Sequence, residues 1–197
     1  MQDLDFTGKI VLVTGGGAGI GRAIVDAFAT RGAHLVVAEK DADRCADLQA
    51  ALDASATEAL VSHTDVCDRA AVDALMAQVQ ARFGGLDVLV NNVGDFLGII
   101  KPFAACTDED LEQLYGVNLK HIFTVTRAAI PLLQSRGRGG SIISISSIEA
   151  FRGIPMVTTY CAFKHAITGF TRSLALELGP DGIRVNAIAP ETTETAQ

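Results

Sequence analysis

The chain has 197 residues, 49% hydrophobic and 20% charged, enough to fill one sizeable core and short of two ordinary domains. A net charge of −7 disfavours nucleic acid and anionic membrane as main partners, because both select basic surfaces. No apolar run reaches the roughly 18 residues that span a bilayer, and the four cysteines and four histidines are scattered without metal-ligand spacing. "MQDLDFTGKI" places acidic residues where a secretory signal would be basic and then enters a strand, so a cytoplasmic location is expected.

Short apolar runs then alternate with segments of helical period. "KIVLV" (9–13) predicts a strand, "GRAIVDAFATRG" (21–32) a helix, "HLVVA" (34–38) a strand and "DADRCADLQAAL" (41–52) a helix. "ALVSH" (59–63) and "LDVLVNN" (86–92) are strands flanking the helix "DRAAVDALMAQVQARFG" (68–84). A long helix over roughly 108–136 opens behind Thr107, whose hydroxyl suits an N-cap ahead of acidic residues. "SIISIS" (141–146), a helix over about 156–178 and "IRVNAIA" (183–189) complete the series. Gly32 and Gly179 suit C-terminal caps, and "QSRGRGGS" (134–141) reads as a surface turn. The strands lack polar alternation, as parallel strands covered by helices on both faces do. The expected architecture is an α/β doubly wound parallel sheet in a single domain over 1–197.

The first strand runs into "TGGGAGIGRA" (14–23). Glycines between a strand and a helix leave backbone amides free to meet a pyrophosphate, and a Cβ would block that approach. The spacing is T-G-x-x-x-G-x-G through Gly15, Gly19 and Gly21, with Gly17 and Ile20 inside the same candidate binding turn. Glu39 ends the second strand, 20 residues beyond Gly19, where a carboxylate can bond the ribose hydroxyls of an adenosine.

"TYCAFKHA" (159–166) sets Tyr160 and Lys164 four residues apart on a helix. An ammonium about 5 Å from a phenol, at an effective dielectric of about 20, favours the phenolate by roughly 3 kcal/mol. That spacing predicts a tyrosine with a lowered pKa, fit for acid/base work.

Together, "TGGGAGIG" (14–21), "TDV" (64–66), "NNVG" (91–94), "VNL" (117–119), "SISS" (144–147), "YCAFK" (160–164) and "RVNAIAP" (184–190) resemble the short-chain dehydrogenase/reductase family over essentially the whole chain. The resemblance implies a Rossmann fold in three α/β/α layers, with the chain ending after its sixth strand. It also implies an NAD(P)-dependent oxidoreductase acting on alcohols or ketones. By that pattern Asp65 and Val66 meet the adenine, and Asn92 and Gly94 flank the adenosine half. Pro190, Thr193 and Thr195 touch the nicotinamide end. Ser147 holds the substrate oxygen, Tyr160 exchanges the proton, Lys164 holds the nicotinamide ribose, and the backbone carbonyl of Asn118 carries a water in the proton path. Ser146 is structural.

Glu39, and the absence of Arg or Lys at Gly16, Gly17 and Ala18, favour NAD over NADP; Lys40 is the contrary sign. Val93 and the Pro190-Glu191 pair depart from the family's "NNAG" and "PG". Relatives continue into a helical lid, a further helix and a seventh strand, which this chain is expected to lack. Phe96, Leu97, Ile99, Ile100, Ile154, Met156 and Val157 suggest a small, mostly apolar secondary alcohol or ketone, with Glu149 and Glu191 as contacts for a polar substituent. Family members pair their long helices between subunits, which implies a homotetramer, with a dimer second. The competing reading is a dinucleotide-binding regulatory or scaffold protein without turnover. The Ser147, Tyr160, Lys164 and Asn118 set disfavours it, because a binding module needs no proton relay.

Overall fold

In the computed structural model, which describes residues 4–137 and 139–195, six strands form one parallel sheet. They are β1 (Ile10–Thr14), β2 (His34–Glu39), β3 (Ala59–His63), β4 (Val88–Asn91), β5 (Ser141–Ile145) and β6 (Arg184–Ile188). The order is β3-β2-β1-β4-β5-β6. Leu12 pairs with Val36 on one side and Leu89 on the other, so β1 lies where the winding reverses. Each expected strand is present with slightly shifted ends. Position 138 falls in the expected turn over 134–141 and lies outside the described residues.

The sheet carries apolar side chains on both faces because helices cover both. Leu12, Val36, Leu89 and Ile142 pack with Leu75 and Val79 of α3 (Arg69–Phe83), Val125 and Leu133 of α5 (His121–Ser135), and Leu174 of α6 (Thr158–Leu178). Val11, Val13, Val37 and Val90 face Val25 of α1 (Gly19–Ala29) and Leu48 of α2 (Ala42–Ala54). Each such fully buried side chain contributes about 1.5–3 kcal/mol of transfer free energy. On the edge strand β6, Val185 is buried while Arg184, Asn186 and Ile188 are exposed. Among the described residues no helix is long and apolar enough to cross a membrane.

Local chemistry sets the helix starts. Asp41 caps α2 through the amides of Asp43 and Arg44, both at 3.0 Å. Thr107 and Asp110 form a reciprocal capping box at the start of α4 (Asp108–Tyr115).

Two sequence expectations need correction. The single helix over 108–136 is α4 and α5 joined by a π-helical turn, Gly116–Lys120. Inside that turn the Asn118 side chain accepts from the Asp95 amide at 3.1 Å and donates to the Asp95 and Leu114 carbonyls at 2.8 and 3.0 Å. Bonding a neighbouring loop from within a helix is what the wider turn accommodates. The second concerns Gly179, which stands at the C-cap of α6 as expected but keeps a right-handed conformation (φ −54°) and continues into a short 3-10 turn. The left-handed residue there is Gly182 (φ +73°). Gly32 is left-handed (φ +81°) but stands beyond Thr30, where α1 ends.

Candidate active site

A cleft of about 760 Å³ opens at the carboxyl ends of β1 and β4, where the strand order reverses. Crevices of doubly wound sheets form at this place because the connections on either side diverge.

Its floor is the turn after β1. The N-terminus of α1 has no side-chain cap, since Ala18 stands at the N-cap, so its first amides and the helix dipole face the cleft. Gly19 adopts φ +56°, and a Cβ on Gly21 would lie 2.0 Å from the Gly15 carbonyl oxygen. Asn92 ties this turn to the end of β4 by donating to the carbonyls of Thr14 and Gly15 at 3.0 and 3.1 Å. Gly15, Gly19, Ile20 and Gly21 all border the cleft. Gly17, of the same turn, is not among the residues that border the cleft; its amide donates to Glu39 Oε2 at 3.0 Å.

At one end of the cleft lie Glu39, Asp65 and Val66. Both Glu39 oxygens accept backbone amides, Oε1 from Asp41 at 3.1 Å and Oε2 from Gly17, so the carboxylate is fixed against the turn. Lys40 and Arg44 border the same end. Arg44 was missed from the sequence; the signal was its place on the first turn of the Asp41-capped helix. Asp65 folds its carboxylate onto the Cys67 amide at 2.8 Å.

The other end holds Ser147, Tyr160, Lys164, Pro190, Thr193 and Thr195. Thr195 reaches back to within 4 Å of where a Cβ on Gly19 would be. Ser147 follows β5, and Tyr160 and Lys164 project from α6. Ser146 Oγ donates to the Lys164 carbonyl at 3.1 Å, a structural bond as expected. Phe96 packs on the Tyr160 ring, with centroids 4.2 Å apart.

Lys164 is only 2% exposed, and its Nζ donates to the Ile145 carbonyl at 3.2 Å. Burial pulls its pKa from an ordinary 10.5 to about 8. A Cβ on Gly94 would come within 2.8 Å of that Nζ, so a larger residue there would have to push the ammonium aside.

The predicted lowering of the Tyr160 pKa is reversed. Burial raises it, the Ser147 side chain opposes that, and Glu149, Cys161 and Asp95 push further upward. The Lys164 ammonium sits 5.4 Å from the ring centroid and is directed to a backbone carbonyl, so it does not offset the desolvation.

Beneath this end lies His121, fully buried at the start of α5, its ring near the backbone of Val93 and Val117 but without a hydrogen bond of good geometry among the described residues. Burial and the Lys164 charge lower its pKa from 6.5 to about 4, and the backbone of Val93 and Val117 offsets only part of this. The native state therefore resists a proton that the unfolded chain takes up near pH 6.5. Stability is full above that pH and falls by roughly 3 kcal/mol toward pH 4. Urea unfolding of the parent and of His121→Asn at pH 7 and pH 4 checks this. The variant should lose markedly less on acidification, and equal losses would refute the assignment.

The family model "short chain dehydrogenase" matches residues 9–197. The chain belongs to the short-chain dehydrogenase family. This short-chain dehydrogenase is 37% identical over 190 residues to 3beta-hydroxysteroid dehydrogenase of Mediterraneibacter gnavus, covering 96% of the chain and 68% of the relative. It is 40% identical over 182 residues to galactitol 2-dehydrogenase of Agrobacterium fabrum, covering 92% and 69%. A solved short chain dehydrogenase from Burkholderia cenocepacia J2315, in complex with NADP, superposes with a TM-score of 0.90 at 36% identity, covering 98% of this chain and 77% of that one. Like its relatives, this short-chain dehydrogenase is an oxidoreductase of CH–OH groups that uses a nicotinamide cofactor.

Proposed function

We propose that the cleft holds NAD in preference to NADP and that Ser147, Tyr160, Lys164 and Asn118 carry out the proton chemistry of a secondary alcohol/ketone couple. The observation that carries this is the single cleft joining the uncapped N-terminus of α1 to Tyr160 and Lys164. The free amides of the α1 turn suit a pyrophosphate. Glu39, Asp65, Val66, Asn92 and Gly94 would hold the adenosine half, and Lys164, Pro190, Thr193 and Thr195 the nicotinamide half. When bound, the dinucleotide accepts or returns a hydride.

Tyr160 exchanges a proton with the substrate oxygen, and Ser147 donates a hydrogen bond to that oxygen as its charge develops. Lys164 binds ribose hydroxyls and links the phenol through the Asn118 turn to solvent. A phenol with a raised pKa is protonated at neutral pH, so Tyr160 is poised to give a proton to a ketone oxygen. Oxidation needs the deprotonated phenol and gains as pH rises.

Support for NAD comes from the Glu39 carboxylate fixed against the phosphate-binding turn, where it opposes a further negative charge. Lys40 and Arg44 are the side chains that pull the other way. The protein is expected to be a homo-oligomer, a tetramer before a dimer; support for an oligomer comes from Phe123 of α5, which is exposed and tilted against Phe170 of α6 with ring centroids 4.8 Å apart.

The test follows reduced-nicotinamide absorbance over a panel of secondary alcohols and ketones and measures the dissociation constants of NAD and NADP. Turnover with tighter NAD binding is expected. No turnover in either direction would overturn the catalytic assignment, and tighter NADP binding would overturn the cofactor preference.

A further inference from the structure

Ser147 has one proton to offer, and its hydroxyl gives that proton to a hydrogen bond with Glu149 Oε2. Glu149 is 8% exposed, and its other oxygen accepts from Arg152 Nη2 at 3.1 Å. Arg152 reaches on to Glu191 Oε1 at 3.0 Å. The row Ser147–Glu149–Arg152–Glu191 thus bridges the loop after β5 and the segment after β6, beside the Tyr160 phenol.

Burial raises the Glu149 carboxyl, but the Ser147 hydroxyl and the Arg152 guanidinium together hold it below the ordinary carboxylate range. It is an anion at neutral pH, and hydrogen bonds to an anion are the strong ones. A developing alkoxide would therefore compete with Glu149 for the same serine proton. A monoalcohol must draw Ser147 away without replacing it. A substrate with a second hydroxyl can present that group to Glu149 and release Ser147 to the reacting oxygen. The Ser147 and Glu149 oxygens are in direct hydrogen-bond contact, so the two hydroxyls must be close neighbours.

We infer that Glu149, positioned by Arg152, selects substrates bearing a hydroxyl on the carbon next to the reacting one: vicinal diols in oxidation and the matching hydroxyketones in reduction. Glu149 accepts a hydrogen bond only. The proton still passes to Tyr160 and the hydride to the dinucleotide, so the reaction is unchanged in balance. The inference rests on the proposed function of the same cleft.

Its test compares kcat/KM for the vicinal butanediol and the secondary butanol in the full chain, supplied with NAD or NADP. The parent should favour the diol by about tenfold or more, and Glu149→Gln and Glu149→Ala should erase most of that ratio. Thermal unfolding and dinucleotide binding establish that the variants are folded; if neither folds, the parent's ratio decides. A parent without diol preference, or variants that lower both substrates alike, would overturn the inference while leaving the oxidoreductase assignment intact. A parent that turns over neither butanol nor butanediol, nor any other alcohol or ketone, sinks both.

Discussion

Tyr160→Phe is expected to cut turnover by about a thousandfold while dinucleotide binding stays close to that of the parent. A factor of that size corresponds to about 4 kcal/mol of barrier and lies within the range for losing a positioned acid or base. Phenylalanine keeps the ring that packs against Phe96 at 4.2 Å, so the pocket wall survives and only the hydroxyl is removed. The raised phenol pKa adds a second signature. In the parent, ketone reduction should hold steady through neutral pH and decline only in alkali, while alcohol oxidation climbs with pH. The residual activity of the variant should lack both trends. Single-turnover rates and the dinucleotide dissociation constant, each measured across pH, check the two halves. Parent-like turnover by the variant would remove Tyr160 from the chemistry.

Lys164→Met should stabilise the protein and disable it. In the native state the ammonium is buried with one backbone acceptor, and its pKa falls from 10.5 to about 8. Between those values the unfolded chain binds the proton and the native chain does not, so stability rises with pH through that window. Below about pH 8 the whole penalty is present, roughly 3 kcal/mol. Methionine has a similar shape and no charge, and it leaves the Ile145 carbonyl without its donor, a loss of about 1 kcal/mol. The net gain at pH 7 is about 2 kcal/mol, visible as a Tm higher by several degrees. Above pH 8 the gain should shrink, vanish between about pH 9 and 10, and give way to a loss of about 1 kcal/mol near pH 10.5, where only the missing hydrogen bond remains. Turnover should fall at least about a hundredfold, because the nicotinamide ribose would lose its donor. A variant no more stable than the parent at pH 7 would show that Lys164 is not strained by burial. Such a trade of stability for activity is common where a site holds a desolvated charge.

Much of this arrangement was legible in the residues. Strands such as "LDVLVNN" are apolar on both faces and had to lie between helix layers, and β4 does. Gly21 could be assigned a role because its motif requires close backbone approach, and the carbonyl of Gly15 is there. What escaped depends on distant partners. The π turn at Gly116–Lys120 looks like ordinary helix in its local pattern; the bonds from Asn118 to Asp95 are made across 23 positions of sequence. The i, i+4 spacing correctly joins Tyr160 to Lys164, but it carries no measure of burial and does not reveal that Glu149 and Asp95 act on the same phenol. Gly17 resembles its neighbours in the motif, and only the fold turns its amide toward Glu39.

The wide turn between α4 and α5 has a lasting effect on what changes this stretch can tolerate. A π turn is an α-helix with one residue too many, and each helical residue advances the chain by about 100°. Deleting any single residue between Tyr115 and His121 would restore a regular spiral. With the extra residue absorbed in the wide turn, α4 and α5 keep their faces, and Val125 and Leu133 stay in the interior. A deletion that takes Asn118 removes the bonds to Asp95 and Leu114, so shortening here costs the loop its anchor rather than the core its packing.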